Sequence, residues 1–144
     1  MMATFTHRAH SKYTPAQLFD LVVDVERYPE FIPWTISTRV RRRTDRYILT
    51  DFTIGTGFLR KQFSTEATLD RPHQILISSR DPMFKRFEQK WTFKQTVEGR
   101  TDLEYRVEFE LRSFVLQTLL DMTFADRAAA IASAYIRRAH RLYR

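Results

Sequence analysis

Two adjoining stretches decide the reading of this chain: Arg86-Phe87-Glu88-Gln89-Lys90-Trp91-Thr92-Phe93-Lys94-Gln95 and, beyond the turn Glu98-Gly99-Arg100-Thr101, Asp102-Leu103-Glu104-Tyr105-Arg106-Val107-Glu108-Phe109-Glu110-Leu111. In the first, Phe87, Gln89, Trp91 and Phe93 share one side, continuing through Gln95 to Val97, and Arg86, Glu88, Lys90 and Lys94 share the other. In the second, Leu103, Tyr105, Val107, Phe109 and Leu111 face one way, and Asp102, Glu104, Arg106, Glu108 and Glu110 the other. Strict alternation predicts two neighbouring antiparallel strands with one buried and one wet face. The wet face is basic on one strand and mainly acidic on the next, which suits cross-strand charge pairing.

The strand pattern extends upstream. Ile75 and Ile77 mark a short strand. Leu59, Phe63, Ala67 and Leu69 mark a long one, ended by Arg71-Pro72. Tyr47 to Ile54 forms another, entered through Thr44-Asp45 and left through Gly55 and Gly57. Before it, Ile36, Thr38 and Val40 oppose Arg39, Arg41 and Arg43. Thr4 to Ser11 reads as the first strand, with Phe5, His7 and Ala9 on one side.

Helices bracket these strands. Thr14 is placed to cap a helix, Pro15 suits its first position and Gln17 completes a capping box. Leu18, Phe19, Leu21, Val22 and Val25 give its apolar side, and Pro29 and Pro33 then confine Tyr28 to Ile32 to a short turn. From Ser113 onward there is no Gly or Pro. Leu116, Leu120, Phe124, Ala128, Ile131, Tyr135, Ala139 and Leu142 recur at helical spacing. This predicts one helix of about 30 residues, roughly 45 Å long. Its end carries Arg137, Arg138, His140, Arg141 and Arg144, which suit the negative end of the helix dipole. The expected fold is α+β: a curved antiparallel sheet of about seven strands around a long C-terminal helix, with two short helices after the first strand. One domain is expected to cover residues 1–144.

The 144 residues include 12 Phe among 14% aromatics, more than a core of this size needs. The surplus either lines an apolar pocket or packs an antiparallel sheet. The chain lacks cysteine, so disulfides and thiolate chemistry are excluded. Its N-terminus has no apolar run, and no stretch reaches the ~18 residues of a membrane span. A cytoplasmic protein is expected, peripheral to a membrane at most. A net charge of +7 favours anionic partners.

Four segments resemble the coenzyme Q-binding START-domain family, within the polyketide cyclase and lipid-transport superfamily. They are Val23-Asp24-Val25-Glu26-Arg27-Tyr28-Pro29-Glu30-Phe31-Ile32-Pro33-Trp34, Thr68-Leu69-Asp70-Arg71-Pro72, Phe84 to Phe93, and Val107 to Leu111 leading into the last helix. In the third, Phe87 replaces the family's usual Leu; after Pro33-Trp34, Thr35 replaces a frequent Cys. The resemblance implies the helix-grip fold and non-catalytic binding of ubiquinone, or a similar polyprenyl lipid, in support of respiratory electron transfer. A bacterial branch of the same fold acts instead as a ribosome-association toxin, so a ribosomal subunit is the alternative partner. Pro33-Trp34 is closer to the quinone branch.

The ligand candidates follow. Phe63, Phe87, Gln89, Trp91, Phe93, Tyr105, Phe109, Phe124 and Tyr135 either line a cavity or form ordinary core. Tyr28, Phe31 and Trp34 either close the pocket mouth or pack under a proline-fixed turn. His7, Lys61 and Gln89 fall on inward parity and could bond a headgroup oxygen. Alternatively, Lys61 reaches to an edge and His7 is a satisfied strand histidine. Arg41, Arg42 and Arg43 either meet anionic lipid or ribosomal RNA, or form a solvated basic face. No enzyme is expected. The histidines His7, His10, His73 and His140 show no metal-ligand spacing, no nucleophile elbow or phosphate loop occurs, and Asp51 alone is a candidate inward carboxylate. Neither a metal nor a catalytic cofactor is expected, and the chain should be a monomer.

Overall fold

The two deciding stretches form β6 (Phe84–Gln95) and β7 (Thr101–Leu111), paired antiparallel with Trp91 opposite Tyr105 and Phe93 opposite Leu103. They belong to a computed structural model that describes residues 2–56 and 59–143. The other strands are β1 (Ala3–Ser11), β2 (Thr35–Thr44), β3 (Tyr47–Thr56), β4 (Leu59–Asp70) and β5 (Gln74–Ser78). All pair antiparallel in the order β1-β7-β6-β5-β4-β3-β2, so the chain's first strand joins its last and β1 and β2 form the edges. Between β1 and β2 lie α1 (Pro15–Val23) and a 3-10 turn (Val25–Glu30). The capping box is formed: Thr14 Oγ1 accepts from Gln17 N at 3.2 Å, and Thr14 N donates to Gln17 Oε1 at 3.0 Å. Gly57 and Arg144 lie outside the described residues.

Four expectations need correction. The single C-terminal helix is two: α2 (Phe114–Asp121) and α3 (Phe124–Leu142). Thr123, at φ −125° and ψ 1°, leaves the helical region, and its N–H turns to Leu120 O at 3.0 Å. Leu116 and Leu120 of α2 pack on Phe84, Phe109 and Leu111, whereas Ile131, Ala132 and Tyr135 of α3 pack on the larger core. One straight rod could not follow both parts of a curved sheet. The unbroken apolar stripe hid the break.

The arginines of β2 do not share one face. The register slips between Val40 and Arg42, where two residues of β2 oppose one step of β3. After this bulge Arg43 stands opposite the inward Ile48 and reaches Glu26 Oε1 at 2.6 Å, while Arg41 bonds Asp51 on the outer face. A bulge inverts any parity counted through it. Val97, expected inside, is fully exposed in the β6–β7 turn. Finally, the outer charges are matched only in part. Arg86 faces Glu110 and Lys94 faces Asp102, but Glu88 faces Glu108 and Lys90 faces Arg106, and Arg86 bridges diagonally to Glu108 at 3.5 Å.

The core lies between the inner sheet face and the helices. One cluster joins α1, the 3-10 turn and α3 to the centre of the sheet, with Phe93 and Ile75 each 1% exposed. A smaller one, Ala3, Phe84, Phe109 and Leu111, sits under α2. The other side of α2 is bare: Phe114, Val115, Leu119 and Met122 are exposed.

Candidate functional site

Helix α3 presents small residues to the sheet. Ala128, Ala132 and Ala139 are buried there, where larger side chains would reach the strands. Two cavities remain between helix and sheet.

The outer one, about 190 Å³, lies over β3 to β6. Ile48, Thr50, Phe52 and Ile54 of β3 and Phe63, Thr65 and Ala67 of β4 form much of its wall, with Phe87 and Gln89 of β6. Val25, Tyr28 and Ile32 close it from the 3-10 turn, and Ile131 and Tyr135 from α3. Thr50 and Thr65 face each other in register and are buried, polar points with Gln89 in a largely apolar wall.

The inner cavity, about 90 Å³, lies between α1, α3 and strands β1, β7 and β6. His7, Trp91, Phe93 and Tyr105 contribute from the sheet, and Leu18, Leu21 and Val22 from α1. Tyr105 and Tyr135 line both cavities and so form the partition between them. Trp91 stacks on Tyr105 with ring centroids 4.3 Å apart and meets the edge of Tyr135 at 4.7 Å.

The phenols of the partition stay neutral. Burial pushes Tyr105 and Tyr28 well above the ordinary tyrosine value. Burial does the same to Tyr135, with neighbouring Tyr28 adding to it. The Tyr28 hydroxyl donates to Val22 O. Each phenol therefore stays protonated and available for hydrogen bonding at physiological pH.

The predicted site residues divide. Tyr28, Phe63, Phe87, Gln89, Trp91, Phe93, Tyr105 and Tyr135 line one cavity or both. Phe109 and Phe124 line neither. Their rings meet at 4.9 Å under α2, where the helix break brings Phe124 onto the smaller cluster. Phe31 and Trp34 also lie outside. Phe31 packs on Tyr135 at 5.7 Å, beneath Arg138. Trp34 sits in the left-handed region at φ 64° under the Arg127 guanidinium, and its carbonyl accepts from Gly55 N at 2.9 Å. A bulky residue in that conformation is strained and needs its surroundings to hold it. Arg138 also donates to Glu30 at 3.1 Å, tying the 3-10 turn to α3.

His7 lines the inner cavity, but Lys61 is exposed near the start of β4 and lines neither cavity. Arg41 is held by Asp51 and Ser64, Arg43 by Glu26, and Arg42 lies over the Tyr47 ring. Asp51 is thereby assigned to the outer face. Sequence reasoning missed Ile48, Thr50, Phe52, Thr65 and Ala132. The alanines of α3 were the available signal for the inner cavity, which Ala132 and Ala139 line.

Among the described residues no group of three or more His, Asp or Glu could hold a metal ion. No described helix is long and apolar enough to cross a membrane.

The family described as polyketide cyclase / dehydrase and lipid transport matches residues 11–134. The ribosome association toxin RatA of Pseudomonas aeruginosa is 29% identical over 143 residues, covering 99% of each chain. The mitochondrial coenzyme Q-binding protein COQ10 homolog B of Xenopus laevis is 25% identical, over 88% of this chain and 54% of that one. The crystal structure of the Zhui aromatase/cyclase from Streptomyces sp. R1128 superposes with a TM-score of 0.85 at 16% identity, covering 100% of this chain and 97% of that one. That likeness concerns the fold alone.

Proposed function

Since the chain belongs to the polyketide cyclase / dehydrase and lipid transport family, we infer that it holds a hydrophobic small molecule between sheet and α3, ubiquinone or a similar polyprenyl lipid, without transforming it. The observation that carries this reading is the pair of cavities meeting at Tyr105 and Tyr135. Their walls are aromatic and aliphatic, which favours an apolar guest through the area it removes from water. The coenzyme Q-binding relative supports a quinone as that guest. Against conversion stands the wall chemistry: the linings of the two cavities contain no carboxylate.

Mass spectrometry of an organic extract of the purified protein tests this. A quinone or other polyprenyl lipid at near-stoichiometric yield is the expected result. An extract free of lipid, from a protein whose melting temperature no added quinone raises, would sink it.

A second reading is ribosomal association, favoured by the relatives named ribosome association toxins. Its surface would be basic, and Arg39, Arg42 and Arg46 are exposed along and just beyond β2. Salt-sensitive co-sedimentation with a ribosomal subunit would support it. Lipid-bound protein that leaves subunits untouched would remove it.

A further inference from the structure

Among the described residues, two buried side-chain polar atoms have no hydrogen-bond partner: Trp91 Nε1 and His7 Nε2. Both residues line the inner cavity. They are also on one row of the sheet. His7 of β1 and Trp91 of β6 each stand opposite Tyr105 of β7, so the three side chains share the inner face. Two strand spacings separate the outer members, roughly 10 Å at the backbone. A buried polar atom without a partner is costly, and native proteins satisfy nearly all of them. Two such atoms in one cavity, one on a residue only 3% exposed, mark the place where a guest supplies what the protein does not.

The chemistry of that guest follows. An indole N–H can only donate, so the group facing Trp91 must offer a lone pair. The imidazole Nε2 donates or accepts according to its tautomer, so it fits a carbonyl or a hydroxyl equally. Lys12, His10 and His140 line the cavity but are exposed at its rim. A buried anion would find no cation beside Trp91, which disfavours a phosphate. The walls are flat rings: Trp91, Phe93, Tyr105 and Tyr135. Alone, the space is smaller than the ~150 Å³ cavity that takes benzene in other proteins. A ring entering it must displace the Tyr105–Tyr135 partition and join the two chambers.

Resting on the proposed hydrophobic-ligand reading, we infer that the inner cavity is a headgroup site for an uncharged oxygen-bearing ring, with Trp91 Nε1 donating to a ring oxygen and His7 Nε2 meeting a second polar group. The attached chain lies in the outer cavity. The oxidised and reduced forms of a quinone ring both satisfy this pair, because carbonyl and hydroxyl oxygens each accept from the indole.

The indole N–H resonances of ¹⁵N-labelled protein provide the test. Trp34 and Trp91 are the two tryptophans, and Trp34 lines neither cavity, so its resonance is an internal control. The probes are a ubiquinone with one isoprene unit and prenylbenzene, which lacks ring oxygens. The expected result is a saturable downfield shift of the Trp91 resonance with the quinone only. Trp91→Phe and His7→Phe should each weaken quinone binding relative to prenylbenzene binding roughly three- to tenfold, the value of one hydrogen bond. Should Trp91→Phe fail to fold, Trp34→Phe assigns the resonances and the titration of the unaltered protein still decides. A quinone that raises the melting temperature without moving the Trp91 resonance would overturn the headgroup assignment while leaving lipid binding intact. Equal shifts with both probes would overturn the hydrogen bond. A protein that binds neither probe would overturn this inference and the proposed function together.

Discussion

The packing around Phe93 and the packing around Phe63 come from the same alternating pattern and differ in what lies across from them. Phe93 is 1% exposed and meets Phe19 of α1 edge-on at 6.2 Å. Phe63 is half-buried and stacks on its strand neighbour Phe52 at 5.6 Å, with the outer cavity before it. Helix α1 sets Phe19 against Phe93, whereas Phe63 faces open space bounded on the helix side by Ile131 and Tyr135 of α3. An aromatic stripe therefore becomes core or cavity wall according to the helix that covers it, and the stripe itself does not say which.

The largest expected effect tests that contrast directly. Phe93→Ala should cost about 3–5 kcal/mol, since a ring 1% exposed and packed on Phe19 and Trp91 leaves a void, although it borders the small inner cavity. Phe63→Ala should cost about 1–2 kcal/mol, because part of its surface already faces open space. Phe109, in the packed cluster under α2, should side with Phe93. Urea denaturation measures all three. Equal losses at Phe63 and Phe93 would mean that the outer cavity is filled.

The next effect concerns the partition. The phenols of Tyr28, Tyr105 and Tyr135 are raised by burial in the native state. Their contribution is fully present below the ordinary tyrosine value near 10, and is lost as pH rises from there, because the unfolded chain releases protons that the native one keeps. Stability should fall by about 1.4 kcal/mol per pH unit for each such phenol. Urea midpoints taken from about pH 9 to 11 check the slope. Tyr105→Phe should reduce it, and an unchanged slope in that variant would place the Tyr105 hydroxyl in contact with water.

The smallest effect separates surface from cavity. Arg42→Ser should change stability by no more than about 0.5 kcal/mol, since Arg42 is exposed and lies over the Tyr47 ring. It should weaken binding to anionic vesicles by about 1 kcal/mol if that face meets a membrane. Flotation with vesicles reads this, and salt-insensitive, unchanged binding would remove the face from any lipid contact. Cavity variants such as Phe63→Ala should leave that binding alone.

Much of the fold was legible because period-two alternation survives wherever one sheet face is wet. All seven strands and the Thr14 capping box could be read, as could the inward parity of His7, Trp91 and Tyr105. Three features were not. The helix break at Thr123 follows from sheet curvature, which no local residue announces. The bulge at Arg41 is invisible to parity counting because parity assumes its absence. The inner cavity depends on volume that Ala132 and Ala139 leave unfilled, so it belongs to a pair of elements and to neither alone. For the same reason Phe109 and Phe124 read as cavity wall although their rings fill each other's space.

The arginine-rich strand has one more consequence. In the sheet order β2 is an edge, with one row of its backbone groups unpaired to any strand. Such an edge invites another chain to add itself as a further strand. Two register shifts warp it, and Arg39, Arg41, Arg42 and Arg43 stud it with positive charge. A second molecule approaching in the same orientation would bring like charges together along a bent template. An edge of that shape and charge disfavours polymerisation of the protein through its own sheet.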